Sequence, residues 1–514
     1  MLATLPDYGI SVDEGVQHRT GRRLLRWYAT LGNEPWATED VHNTKYGGFA
    51  EMVAELVVRV SPLETYVSRH LANVGFAFVA FIAVLRIARR LDGPRGAFLA
   101  LLSLALSPPF YGNAFFNSKD IPFAALYALA VSGILACDAW PGTSWGRSLG
   151  AGALIGLAAA VRVGGAVLFG FALVLWLAIL FLQGAAGRPA WPSRGALLRL
   201  LAAWTGALVV GWAVMVAFWP WAMLDPLRNP FRAAEAFSHS WAGMLVSYDG
   251  QLLPAGQVSR FYLPNWFALT LPEHTLVAAG LGLVGLVLLI RARPLGPDAR
   301  RRLLQAGWLV SIPMLVVAGV VVGRMPLYDG LRHFLFLVPL LAVLAGVSVS
   351  LFLRSPTGRP AKVAGVAVLA AASLVTLADM IRLHPYESVY FNRVWAGGMK
   401  AGVDRYEGDY WCLSYKEGCE WLLRRYAGAR CREKIRVAGY SVLHQTQHYL
   451  ELTEEGRRLF RAIQLADGNP HFVMATTRFG DHLRAPGKPV YTVERIGATL
   501  FYLFEVRPPD CELP

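Results

Sequence analysis

The first long apolar stretch of the chain reads HLANVGFAFVAFIAVLRIA (residues 70–88). It can cross a bilayer as a helix, because about 20 mostly apolar residues suffice for one span. Similar stretches recur as far as residue 383, and we expect about ten spans. They are 70–88, 96–112, 121–138, 149–161, 164–183, 200–222, 273–290, 305–323, 334–353 and 363–383. The sequence therefore predicts a polytopic α-helical membrane protein.

The overall composition agrees with this class. The chain has 514 residues, of which 55% are hydrophobic and 16% charged, with a mean hydropathy of +0.40. Soluble domains carry about 25% charged residues. The net charge of +14 does not indicate nucleic acid. Its basic residues lie in short loops between spans, and no basic recognition helix or aromatic-basic surface accompanies them. We expect no nucleic-acid partner.

The loop charges also predict the orientation of the chain. Every second loop is basic, including those with Arg89, Arg188 and Arg293, and we assign these loops to the cytoplasm. The intervening loops, together with residues 1–69 and 384–514, then face outward from a bacterial inner membrane. A polar segment of about 70 residues must cross the membrane ahead of the first span, so we expect a further transmembrane helix upstream of Met1.

The chain divides into three parts: an outward first loop (1–69), the membrane domain (70–383) and an outward α/β domain (384–514). Beyond residue 384 the apolar runs shorten, and this last part is of ordinary domain size at roughly 130 residues. Its predicted elements are a helix at Ser414–Tyr426 and strands at Ile435–Val442, Phe472–Thr476 and Val490–Val506. Four of the five cysteines lie in it: Cys412, Cys419, Cys431 and Cys511. Disulfides and buried free thiols are equal alternatives for them.

The adjacent carboxylates Asp13 and Glu14 are the first candidates for chemistry. They precede an amphipathic helix at 14–32, and a second such helix is predicted at 49–60. Asp13 is either a general base or cation ligand, or the N-cap of the 14–32 helix. An N-cap needs one carboxylate, and the presence of two favours chemistry. His42 belongs to the same outward loop.

Other ionisable residues gather in the outward loops or between spans, where they are costly unless paired or functional. Lys45 and Arg332 either bind a phosphate or extend toward the interface. Arg162, closely flanked by spans, predicts a buried anionic partner. Asp120 is either a site residue or the N-cap of the next span, and His333 is either a proton shuttle or a structural hydrogen-bonding group. The remaining pocket candidates are Tyr46, Lys119 and Tyr328. The loop at 224–272 is long enough to indicate a role of its own.

The sequence contains no Gly-rich nucleotide loop, no His-Glu-x-x-His and no Gly-x-Ser-x-Gly motif. Neither a nucleotide sugar nor ATP is therefore indicated as the donor. A donor activated by a lipid phosphate needs only cations at the membrane face, and the loops supply them.

Four passages resemble the membrane-embedded GT-C glycosyltransferases that use polyprenyl-phosphate sugars, and are most similar to family-39 protein O-mannosyltransferases and lipid A aminoarabinose transferases. These passages are Ile10–Glu14, Asn43–Gly48, Asn117–Pro122 and Tyr328–Phe334, the last leading into Val338-Pro339-Leu340. The resemblance covers about residues 7–350. It departs from the family where a Pro pair after the Lys is replaced by Tyr46-Gly47-Gly48.

The resemblance implies that Asp13 is the general base acting on the acceptor, with Glu14 and Asp120 beside it in the catalytic group. It also implies that Lys45 and Arg332 hold the donor phosphate, and we add Arg162 and His333 to this set. The expected reaction moves a monosaccharide from a polyprenyl phosphate to a lipid, glycan or protein acceptor, with inversion. No cofactor is required, although a divalent cation is compatible. The alternative is a transporter or flippase for a lipid-linked or anionic substrate, but such proteins place ionisable groups at the midplane.

Overall fold

The computed structural model describes residues 1–39, 43–137, 144–182, 192–239, 241–292, 297–440 and 443–513. His42, Arg188, Arg293 and the end of the predicted strand 435–442 lie outside these residues. The helices of the first half are α1 (Glu14–Ala29), α2 (Trp36–Glu39), α3 (Phe49–Val60), α4 (Thr65–Ala105), α5 (Pro108–Phe116), α6 (Asp120–Ala136), α7 (Trp145–Ala159), α8 (Leu168–Leu182), α9 (Arg194–Ala217), α10 (Pro220–Leu224) and α11 (Asn229–His239).

The second half continues with helices of both the membrane part and the C-terminal part. They are α12 (Tyr262–Thr270), α13 (Glu273–Ala292), α14 (Pro297–Gly323), α15 (Val338–Arg354), α16 (Arg359–Leu383), α17 (Met399–Arg405), α18 (Tyr415–Arg425), α19 (Leu443–Leu450), α20 (Glu454–Leu459) and α21 (Asp481–Arg484). Short 3-10 helices lie at Leu2–Asp7, Val163–Val167 and Arg332–Leu337.

Six helical stretches of the described residues are long and apolar enough to cross a membrane: Thr65–Ala105, Val163–Leu182, Arg194–Ala217, Arg300–Gly323, Arg332–Arg354 and Arg359–Leu383. Two bent pairs raise the number to as many as eight. They are α5 with α6, bent by 115°, and Tyr262–Thr270 with Glu273–Leu288, bent by 102°. The chain is thus a multi-pass membrane protein, and the predicted fold class is confirmed.

This count by helix length is smaller than the predicted ten, and the difference lies in two places. Residues 70–88 and 96–112 are counted together because both begin within α4, but the backbone of α4 leaves the helical conformation at Gly93 (φ 81°, ψ −165°). Asn73 donates to the carbonyl of Asn113 at 3.3 Å and the rings of Phe81 and Phe110 lie 6.3 Å apart, so the two segments lie side by side, as predicted. The run 149–161 is not counted because its helix, α7, has only 15 residues.

The membrane helices pack closely where small residues face one another. α4 packs against α15 and α6, and a Cβ atom on Gly346 would lie 2.4 Å from the backbone nitrogen of Ala100. α7 packs against α9 in the same way, and a Cβ atom on Gly156 would lie 2.2 Å from the carbonyl oxygen of Gly211. Glycine and alanine allow such backbone approach between membrane helices.

The long loop at 224–272 is largely structured. It contains α11, an antiparallel hairpin of β1 (Leu245–Tyr248) and β2 (Gln251–Pro254), and α12. The juxtamembrane segments also form as predicted. α1 covers most of 14–32 and α3 coincides with 49–60, and the two helices pack together where Gly21 meets the backbone of Glu51.

The C-terminal part contains a five-stranded sheet with the order β5-β4-β6-β8-β7. Its strands are β4 (Ile435–Gly439), β5 (Phe460–Gln464), β6 (Phe472–Thr476), β7 (Lys488–Arg495) and β8 (Ala498–Glu505). β4 runs parallel to β5 and β6, whereas β8 runs antiparallel to β6 and β7. The single strand predicted at 490–506 is in fact the β7–β8 hairpin, which turns at Ile496 and Gly497 with positive φ angles.

The four cysteines of this part divide into two groups. Cys431 and Cys511 form a disulfide that joins β3 (Arg430–Cys431) to β9 (Cys511–Glu512). Cys412 and Cys419 are buried free thiols. Both alternatives left open by the sequence therefore occur, one in each pair.

Candidate functional site

Asp13 lies at the N-cap position of α1, but its side chain does not cap the helix. Its carboxylate instead faces Arg332, whose Nη1 lies 3.3 Å from Asp13 Oδ2. The Asp13 side chain keeps 39% exposure. Burial of the group opposes ionisation, but the guanidinium of Arg332 and two further cations outweigh it and hold the pKa of Asp13 below its ordinary value. Asp13 is therefore an accessible, ionised carboxylate.

Glu14 points away from this position. Its carboxylate accepts the backbone N–H of Ser11 at 2.7 Å and lies 3.1 Å from Nε2 of His70, and the residue is only 1% exposed. Adjacent residues at the start of a helix project in different directions, so the pair divides between two environments. The contacts of Glu14 hold the N-terminal segment against α4, and the structure does not bring it to the side of Asp13 that faces Arg332.

Arg332 is held by a chain of buried charges that reaches the C-terminal part. Its Nη2 lies 2.6 Å from Asp329, and Asp329 also accepts two hydrogen bonds from Arg478 at 3.1 and 3.2 Å. Asp329 has no exposed surface and adopts a left-handed backbone (φ 53°). A carboxylate between two guanidinium groups satisfies the requirement that buried charges be paired. The chain Asp13–Arg332–Asp329–Arg478 fixes the position of the central guanidinium.

Asp120 and Arg162 form the second ion pair of the site, through Oδ1 of Asp120 and Nη2 of Arg162. Arg162 thus has the buried anionic partner that the sequence predicts. Asp120 begins α6 rather than capping it, and its Oδ2 accepts a hydrogen bond from Asn117 at 2.9 Å. The side-chain carbonyl of Asn117 in turn accepts a hydrogen bond from the backbone N–H of Asp120 at 3.0 Å. Within the motif at 117–122, Asn117 therefore orients the carboxylate of Asp120.

Lys119 and Arg162 share the ring of Tyr46. The Lys119 ammonium lies 4.3 Å from the ring centre and the Arg162 guanidinium lies 5.6 Å from it, which is within cation–π range for both. Neither a carboxylate nor a hydrogen-bonding partner of Lys119 is present among the described residues. Lys45 is half-buried and likewise makes no ion pair within the described part of the chain. The ammonium group of Lys119 is therefore available to an anion, and Lys45 lies next to Tyr46 in the sequence.

Aromatic rings surround the Arg332 guanidinium. The rings of Trp411 and Tyr328 lie 4.7 and 5.4 Å from its central carbon, and His333 packs edge-on against Tyr328 at 4.7 Å. Burial raises the pKa of Tyr328 to about 12, so its hydroxyl stays protonated at neutral pH. Stacked rings leave the charged edge of an arginine free while they screen it from water.

A cleft opens beside this group of cations. It is lined by Lys119, Tyr46, the backbone of Gly47 and residues of α1 and α3. Below it, the Ser118 hydroxyl lies within hydrogen-bonding distance of the side-chain oxygens of Gln17 and Glu51, and Glu51 pairs with the buried Arg69 at 2.5 Å. This network fixes the base of the cleft, and Gly47 allows the loop to approach the carbonyl of Ala160, which a Cβ atom there would contact at 2.0 Å.

The structure thus brings together eight of the predicted residues: Asp13, Tyr46, Lys119, Asp120, Arg162, Tyr328, Arg332 and His333. Lys45 adjoins Tyr46 in the sequence, but no contact within the described residues places its side chain among them. The structure adds four that the sequence did not single out: Asp329, Glu407, Trp411 and Arg478. Asp329 stands in a quoted motif, but the other three lie in the C-terminal part, and no local pattern marks them. Within the described ranges, no three His, Cys, Asp or Glu side chains are arranged to hold a metal ion.

The first of two similar solved structures defines the class of the fold. ArnT from Cupriavidus metallidurans, in a crystal structure bound to undecaprenyl phosphate, superposes with a TM-score of 0.51 at 18% identity, over 98% of this chain and 95% of that chain. The oligosaccharyltransferase AglB from Archaeoglobus fulgidus, in complex with an inhibitory peptide and a dolichol-phosphate, gives 0.43 at 13% identity, over 84% and 61%. The chain has the GT-C fold of membrane glycosyltransferases.

A narrower match applies to part of the chain. Residues 64–221 match the sequence profile of the dolichyl-phosphate-mannose-protein mannosyltransferase family. No curated protein matches the chain significantly by sequence. The resemblance expected from the four motifs is confirmed, and the profile match covers one of them, Asn117–Pro122, together with Arg162.

Proposed function

We propose that this protein transfers a monosaccharide from a polyprenyl-phosphate donor to a hydroxyl or phosphate group of an acceptor at the outer face of a bacterial inner membrane. The proposal is supported by the fold and by the undecaprenyl phosphate named for the similar ArnT structure. The observation that carries it is the position of Asp13, an ionised carboxylate beside Arg332, with the ammonium group of Lys119 over the nearby ring of Tyr46 and without an ion pair among the described residues.

In this scheme the donor phosphate competes with Asp13 for Arg332. Binding of the phosphate to Arg332 and Lys45, with Arg162 and His333 nearby, frees the Asp13 carboxylate to accept the proton of the acceptor hydroxyl. The acceptor oxygen attacks C1 of the sugar, the bond between C1 and the phosphate oxygen breaks, and the configuration at C1 inverts. The leaving lipid phosphate gains negative charge, which the cations stabilise.

The proposal is tested with purified protein in lipid vesicles and undecaprenyl phosphate carrying a labelled monosaccharide. We expect release of the lipid phosphate together with labelled acceptor, unchanged by EDTA because the site's own cations neutralise the phosphate. Movement of the intact donor between leaflets without release would instead identify a flippase. Cysteine labelling at position 13 tests the orientation, and access from the cytoplasmic side would contradict it.

A further inference from the structure

A second, narrow cavity is distinct from the cleft at Tyr46. It is lined by α12, by the segment at 387–391 and by the segment at 407–410, and the side chains that matter here are Trp266, Ser388 and Glu407. Arg332 lines this cavity as well as contacting Asp13. The cavity therefore adjoins the residue to which the donor phosphate is proposed to bind.

Buried polar groups without partners meet at this cavity. Neither carboxylate oxygen of Glu407 makes a hydrogen bond within the described residues, although the backbone of Ser247 lies near it, and the residue is 1% exposed. The same holds for the indole N–H of Trp266 and the hydroxyl of Ser388. Buried polar groups are almost always hydrogen-bonded, so several orphaned groups around one cavity indicate a ligand or ordered water.

The chemistry of the lining selects the kind of ligand. Burial, and next the carboxylate of Asp329, raise the pKa of Glu407 to about 8, so that at neutral pH it is an acid that both donates and accepts. Trp266 adds a donor and Ser388 adds both functions. The rings of Trp266, Tyr390, Phe391 and Tyr410 form the apolar walls. Neutral donors and acceptors between flat rings match the hydroxyl-bearing edge of a sugar, and the narrowness excludes a lipid chain.

We propose that this cavity is the subsite that recognises hydroxyl groups of the transferred sugar, with Glu407, Trp266 and Ser388 as its specificity-determining residues. The inference rests on the proposed function and deepens it. The phosphate on Arg332 places the attached sugar ring at the mouth of the cavity, where one edge of the ring enters and its hydroxyls replace water.

The test compares the affinity of the purified protein for undecaprenyl phosphate with its affinity for the same lipid carrying a neutral hexose. Glu407→Leu should weaken binding of the glycosylated lipid about tenfold, the value of one well-made hydrogen bond, and change binding of the bare lipid less than about twofold. Glu407→Gln keeps a donor and an acceptor and should stay within about threefold of the unchanged protein. Trp266→Phe removes the N–H and the five-membered ring of the indole, and an aromatic ring remains for stacking.

Matched controls are Asp404→Asn, an exposed carboxylate of the same part, and Trp395→Phe, an exposed indole. Deoxy analogues of the hexose allow a double-mutant cycle between protein and ligand. Removal of the recognised hydroxyl should weaken binding to the unchanged protein but should not weaken binding to Glu407→Leu any further. If Glu407→Leu lost equal affinity for both lipids, or lost none, the subsite would be overturned even if transfer is observed. Selective loss of glycosylated-lipid binding without any transfer would support the subsite and contradict the proposed reaction.

Discussion

At the scale of the residue, the two neighbouring carboxylates at the start of α1 have different tasks. Asp13 is exposed to the cleft and faces Arg332, whereas Glu14 is buried against Ser11 and His70. The sequence shows that acids stand together here, but not which way each points. That depends on where the helix begins and on the partners that other parts of the chain supply.

This difference predicts opposite outcomes for the two substitutions. Asp13→Asn should reduce transfer by about 10²–10⁴-fold, the usual contribution of a general base, with little change in thermal stability. Glu14→Ala should lower the free energy of unfolding by about 1–3 kcal/mol, because it leaves buried polar partners unpaired. Transfer rates and melting temperatures in detergent measure both. Full activity of Asp13→Asn would refute the role of the base.

Glu407 predicts a pH dependence of stability. Its pKa rises from 4.5 to about 8 on folding, so between these values the folded chain keeps a proton that the unfolded chain has lost. Unfolding then releases a proton, and stability falls as the pH rises through this window. Glu407→Gln has no such titration, so its melting temperature should rise relative to that of the unchanged protein as the pH increases from about 5 to 8. Above about pH 8 the difference should stay constant. A constant difference across this range would contradict the assignment.

At the scale of the element, apolar length and charge were enough to predict which segments cross the membrane and where α1 and α3 lie. The break of α4 at Gly93 falls between the predicted spans 70–88 and 96–112, but the bend of 115° between α5 and α6 was not predicted. The β1–β2 hairpin was missed for a related reason. Its strands have four residues each, and their pairing depends on contacts outside the local sequence.

Helix packing gives a prediction with a control on the same helix. In α7, a Cβ atom on Gly156 would meet the backbone of Gly211, whereas one on Gly150 would meet nothing within 4 Å. Gly156→Ala should therefore destabilise the protein by about 1–3 kcal/mol through forced separation of α7 and α9. Gly150→Ala should be neutral or stabilise by up to about 1 kcal/mol, as alanine favours helix. A similar decrease of the melting temperature in both variants would contradict this packing.

At the scale of the whole molecule, the C-terminal part supplies residues to the site of the membrane part. Arg478 reaches Asp329 across 149 positions of sequence, and Trp411 stacks on Arg332. No sequence pattern of this length predicts such a contact, because it arises only when the sheet docks against the ends of the spans. The sequence therefore predicted most site residues of the membrane part. It did not predict Arg478 and Trp411, the residues of the C-terminal part that hold them in place.

Arg478 is expected to act as a positioning residue. Arg478→Gln leaves Asp329 with one partner and allows Arg332 to shift, and displacement by about 1 Å can cost 10²-fold in rate. We expect kcat to fall by roughly that factor while the binding of an uncharged detergent-solubilised acceptor changes little. Arg478→Lys should retain part of the rate, and Arg424→Gln, an exposed arginine of α18, should retain all of it. If Arg478→Gln lowered the melting temperature and left kcat unchanged, Arg478 would have only a structural role.

The first residues of the chain are bound by the last part of it. The backbone N–H of Val12 bonds to Trp411, that of Ile10 bonds to the hydroxyl of Tyr449, and Gln445 donates to the carbonyl of Ile10. A ribosome makes the segment at 10–12 long before it makes residues 411–449. A nascent chain with its membrane helices already inserted therefore still has Asp13 without this support until residues 411–449 have emerged and folded. On the proposed function, translation products that stop before this point would occupy the membrane without using the lipid-linked sugar.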